Sequence, residues 1–121
     1  MRLFNREIFR GTAYTDEQFS PAELNGLLGS ADSFAFHWTS SRVATAGGKV
    51  QIRIYHSGDN QNWVVYSTTT SVALLAVGQV QSEYILENIT GIAARGAFVR
   101  IGISVTSGDS DLVVIATGRA I

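Results

Sequence analysis

KVQIRIYHSGDNQNWVVY, residues 49 to 66, reads as two β-strands joined by a polar turn. Val50, Ile52 and Ile54 alternate with Gln51, Arg53 and Tyr55, the period-two pattern of a strand with one buried face. The turn from His56 to Asn62 is built of residues that tolerate positive φ and bond their own backbone. Trp63 follows at once and opens a second strand that runs to Tyr66, with its ring placed to plug the end of a sandwich core.

The same alternation extends outward in both directions. In residues 33–39, Phe34, Phe36 and Trp38 share one face, which is assigned to the core. In residues 98–105, Val99, Ile101, Ile103 and Val105 point one way and Phe98, Arg100, Gly102 and Ser104 the other. That second face is half polar and is expected to meet solvent or a partner. Further strands are read at 71–77, 83–88 and 112–117. About seven short strands at this spacing predict an all-β chain folded as an antiparallel β-sandwich. One short helix is predicted near 21–28, with Ser20 as N-cap, Pro21 in the first helical position, Glu23 closing a capping box, Phe19 stapling onto Leu24 and Gly29 ending it. Residues 1–19 are read as an N-terminal arm and 20–121 as a single sandwich domain.

Composition agrees. A chain of 121 residues with 45% hydrophobic content makes one domain. It has 12 Gly, 1 Pro and no Cys, so neither a disulfide framework nor a thiolate metal site is available. A formal net charge of -1 gives no broad field to recruit nucleic acid or an anionic membrane. The opening MRLFNREIFRG lacks a secretory apolar core, and no window approaches the roughly 18 apolar residues of a membrane span. The expectation is a soluble protein made without a signal peptide.

IYHSGDNQNWVVY at 54–66, followed by ARGAFVRIGI at 94–103, resembles the discoidin-type, galactose-binding-like jelly roll, and similar hairpins recur in small β-sandwich virion proteins of tailed phages. The residues that carry the likeness are Ser57, Asp59, Trp63, Arg95, Arg100 and Gly118. The chain departs from the pattern in having Gly58 before Asp59 and no cysteine pair. The resemblance implies a jelly-roll-like sandwich. On the phage side it implies a head decoration or cement protein, and on the other side a carbohydrate-binding module.

The chemistry-bearing residues are few. His37, His56, Ser57 and Asp59 are the candidates for a hydrolytic triad, but neighbouring side chains in an extended chain point apart and there is no Gly-x-Ser-x-Gly elbow. No catalytic residue is assigned. The acidic turns around Asp59 and around Asp109 and Asp111 offer hard oxygen ligands, yet neither has the ligand count of a Ca²⁺ cage. No metal or cofactor is assigned, and the sequon Asn88-Ile89-Thr90 is given no role. Arg2, Arg6 and Arg10 lie four apart, as on one face of a helix, while Leu3, Phe4, Ile8 and Phe9 are too apolar for a free tail. The expectation is a virion protein, made in the host cytoplasm, that forms a homo-oligomer such as a trimer and clamps other virion proteins through this arm. The alternative is a sugar site on loops carrying Trp38, Arg42, His56, Asp59 and Asn62. An exposed tryptophan is the mark that separates the two.

Overall fold

The computed structural model describes residues 2–31, 33–43, 49–68, 72–73, 81–88 and 98–120, with the side chains of 2–3, 41–43, 66–68, 72–73, 81–88 and 120 outside that set. The described elements are β1 (Arg2–Ala13), β2 (Gln18–Phe19), a 3-10 turn (Ala22–Leu24), α1 (Asn25–Gly29), β3 (Ser33–Val43), β4 (Lys49–Ser57), β5 (Val64–Thr68), β6 (Val72–Ala73), β7 (Gln81–Asn88), β8 (Phe98–Val105) and β9 (Ser110–Ala120). One sheet has the order β1-β9-β3-β7 and the other β2-β8-β4-β5, with β6 also on β4.

The pairing is nested. β1 pairs with β9, β2 with β8, β3 with β7, and β4 with β5 and β6, all antiparallel. The chain is therefore one long hairpin rolled up, and the links β3·β9 and β4·β8 join its rungs into two sheets. That winding is a jelly roll, the antiparallel sandwich anticipated from the sequence.

The period-two pattern places the core. Phe34, Phe36 and Trp38 of β3, Val50, Ile52 and Ile54 of β4, Val99, Ile101, Ile103 and Val105 of β8, and Leu112, Val114 and Ala116 of β9 are buried together between the sheets. Phe4 packs over Gly118 at the β1·β9 rung, where a Cβ would collide with the ring.

Two sequence expectations are corrected. Residues 1–19 do not make a separate arm: β1 pairs with β9 from Arg2↔Ala120 to Ala13↔Ser110, and β2 joins β8. Ile8 is the extra residue of a β-bulge between Glu7 and Phe9, and the bulge turns its side chain into the core. Arg2, Arg6 and Arg10 thus belong to a strand rather than to a helical face. Ser20 is not a helix cap either. Its backbone N–H donates to the Ile101 carbonyl at 2.8 Å, and its Oγ accepts from the Ile101 N–H at 2.9 Å. The helical segment has Pro21 before its 3-10 turn and no side-chain cap, and Phe19 leaves Leu24 for the outer face of β8.

Candidate functional site

Alternation puts Arg100 on the outer face of β8, directly across from Tyr55 on β4, while Phe19 of β2 lies opposite Gly102 two positions along. The Arg100 guanidinium lies over the Phe19 ring, 3.8 Å from its centroid, with Trp63 at 4.7 Å and Tyr55 at 5.4 Å. Phe19 and Tyr55 meet edge to face at 5.6 Å. The aromatic quadrupoles attract the cation and shield it from water.

Gly102 makes room for the rest. A Cβ there would run into the Glu17 carboxylate, so the bare backbone lets Glu17 lie across β8 and accept a hydrogen bond from the Tyr55 hydroxyl. Burial pushes the Tyr55 phenol above its ordinary pKa, and the bond to Glu17 adds to that shift because the neutral phenol is the donor.

Trp63 reaches Arg100 because of the turn before it. Ser57 Oγ accepts from the N–H groups of Asp59 and Asn60 at 3.2 and 2.9 Å and donates to Asp59 Oδ1 at 2.8 Å. Asp59 in turn accepts from the Asn62 and Gln61 N–H groups, at 2.8 and 2.9 Å, and from the Asn62 side chain at 2.7 Å. These donors, the Asn62 N–H foremost, hold the Asp59 carboxyl far below the usual carboxylate range. Asn60 takes the left-handed conformation at φ 61, one that asparagine tolerates. Its Oδ1 accepts from Asn25 Nδ2 at 2.8 Å, which ties the turn to α1.

Between the turn, α1 and β2 lies a hollow of about 260 Å³, lined by Phe19, Ser20, Ala22, Asn25, Asn60, Trp63 and Arg100. Asn25 is 6% exposed, and its Oδ1 has no hydrogen-bond partner. The buried Nε of Arg100 has none either. The ion pair given by the described residues is Arg10 with Glu7, away from this hollow.

Of the residues predicted for a sugar site, Asp59 and Asn62 meet in the turn after β4, and Trp38 lies apart from them. Trp38 is 0% exposed in the interior of β3, so it belongs to the core and to the opposite sheet. His56 is half-buried on β4, and Asp59 and Asn62 spend their polar groups on the turn. The side chain of Arg42 lies outside the described residues, as do those of Arg2 and Leu3 and the whole of Arg95. Of the residues assigned to an assembly arm, Phe4, Ile8 and Phe9 pack on the core, while Arg6 and Arg10 face solvent. Trp63 is not the core plug anticipated: it is half-buried against Arg100.

No family model, curated protein or solved structure matches this chain. Among the described residues no group of three or more His, Asp or Glu is placed to hold a metal ion, and no helix is long and apolar enough to cross a membrane. What the site offers is a guanidinium stacked on rings, amide groups beside it, and a wall of aromatic edges.

Proposed function

We propose that this protein is a non-enzymatic structural component of a virion, a capsid decoration or accessory protein that works by contacts with copies of itself and with neighbouring virion proteins. The patterns at 54–66 and 94–103 support the class by resemblance, and a jelly-roll winding is one that capsid proteins use. The observation that carries the reading is a contrast between two sheet edges. β1 ends its sheet with Arg6, Glu7 and Arg10 along it and a bulge at Ile8, the devices by which proteins blunt an edge. Among the described residues β5 ends the other sheet, with no charge and no proline in it, and its Val64 and Val65 are 60% and 49% exposed. An edge of that kind is suited to receive a strand or an apolar patch from another chain. The contact surface in this reading is β5, since residues 2–13 and 18–19 are paired within the fold itself.

Light scattering across a range of concentrations tests this. A defined oligomer for the native chain and a monomer for the double variant Val64→Lys, Val65→Lys is the expected pair of results. A native chain that stays monomeric throughout removes self-assembly from the proposal.

A second reading, a carbohydrate-binding module, is favoured by one observation. Phe19, 40% exposed, and Trp63 stand at a hollow that also presents a guanidinium and two amides, the mixture of ring and planar polar groups that sugar sites use.

A further inference from the structure

The hollow beside Arg100 has a polar inventory that does not balance. Arg100 Nε is a buried donor with no acceptor, and Asn25 Oδ1 is a buried acceptor with no donor, although both residues line the same space. Each such orphan costs free energy unless something arrives to pair it. The lining also holds a full positive charge and no carboxylate. The nearest carboxylate in sequence, Asp59, is held by the Gln61 and Asn62 amides and by Ser57. Glu17 gives its Oε1 to Tyr55, and its Oε2, also buried and without a hydrogen-bond partner, lies over Gly102 and outside the lining of this hollow.

We infer that this hollow binds an acidic sugar of the uronate type, a deepening that rests on the carbohydrate reading. The two orphans select the class. A bare carboxylate gives acceptors for the guanidinium but no donor for Asn25 Oδ1. A neutral sugar gives hydroxyl donors but leaves the Arg100 charge unmatched. A uronate carries both, on a ring small enough for about 260 Å³. Its carboxylate pairs with the N–H edge of Arg100, a charge-assisted bond stronger than a neutral one. A hydroxyl of the same ring donates to Asn25 Oδ1, and Asn60 and Ser20 stand beside the remaining hydroxyls. Phe19 and Trp63 help to fix the guanidinium in place, with their ring centroids 3.8 and 4.7 Å from its central carbon.

The test is a titration of the full-length chain, followed by amide NMR shifts, with D-glucuronate, D-glucose and acetate as separate probes. Glucuronate is expected to bind about tenfold or more tightly than either of the others, the size of one charge-assisted hydrogen bond. Arg100→Gln should abolish that preference. Because Arg100 also organises the aromatic cluster, a second variant guards against misfolding: Asn60→Asp keeps the acceptor for Asn25 Nδ2 and tolerates φ 61 while placing a negative charge at the rim. It should weaken glucuronate about tenfold more than it weakens glucose, and equal weakening of the two overturns the pairing of the sugar carboxylate with Arg100. Equal binding of glucose and glucuronate overturns the acidic-sugar inference and leaves a neutral-sugar site. Equal binding of acetate and glucuronate overturns it in favour of a plain anion site. Silence with all three probes overturns this inference and the carbohydrate reading together.

Discussion

Trp38 shows how a single side chain can be both indispensable and imperfect. Its ring is fully buried among Phe36, Val114 and the strands facing it, yet its Nε1 has no hydrogen-bond partner. Two opposing terms follow: a large apolar volume that fills the core, and a desolvated N–H that detracts from it. Trp38→Ala leaves a cavity and should cost about 3–5 kcal/mol, a large share of the total stability of about 5–15 kcal/mol of such a domain. Trp38→Phe keeps most of the volume and deletes the orphan donor, so its cost should be less than half of that. Chemical denaturation of the two variants separates the terms. A Phe variant as unstable as the Ala variant would mean that the indole N–H is bonded after all. Trp63 is the opposite case, because its ring meets Arg100 at the surface, where a cation–π contact contributes about 0.5–2 kcal/mol. Nothing in the local sequence distinguishes the two tryptophans except that Trp38 falls in phase with Phe34 and Phe36, whereas Trp63 directly follows a turn.

At the scale of elements, β1 is the strand that decides whether the sandwich closes. It brings Ile8 and Ala13 into the core and lays Phe4 and Phe9 against it, and along its length it satisfies the edge of β9. Losing one buried Ile and two half-buried Phe side chains removes about 5 kcal/mol of apolar burial, comparable with the whole stability of such a domain. Deleting residues 1–13 should therefore abolish the cooperative thermal transition seen by circular dichroism. A truncated chain that melts where the intact one does would restore the detachable arm. The strands β3, β4 and β8 were legible because their large buried apolar residues recur at every second position, and β9 because Leu112 to Ala116 is a short unbroken apolar run. β1 was not, because the bulge at Ile8 shifts the phase between Phe4 and Phe9, and the four-residue spacing of its arginines imitates a helix. Ser20-Pro21-x-Glu23 likewise imitates a cap whose serine is instead drawn to β8 by a partner 81 positions away. The Arg100 hollow was hidden for the same reason. Its walls come from β2, α1, the turn before β5 and β8, and only the outward phases of Arg100 and Tyr55 on their strands hinted at it.

For the whole molecule, the nested pairing means that the rung holding the most residues apart, β1·β9, is the one that closes the first sheet, with Arg2 opposite Ala120. Its formation must overcome the entropy of closing almost the entire chain, whereas β4·β5 closes only a short turn. Folding is therefore expected to begin at the β4·β5 hairpin and to be limited by the arrival of β1. Joining residue 1 to residue 121 through a short Gly/Ser linker converts the outermost rung into a local hairpin without touching the core. On the logarithmic loop-closure law the change from a loop of about 120 residues to one of about 5 reduces the entropy cost by about 2–3 kcal/mol. The cyclised chain should unfold at higher denaturant, and most of the gain should lie in a faster folding rate if β1 docks before the transition state. If β1 docks after it, the same gain appears as slower unfolding with the folding rate unchanged. Cyclisation that leaves both rates and the midpoint unaltered would show that the unfolded chain already holds its ends together, and that the order of assembly runs inward from β1·β9.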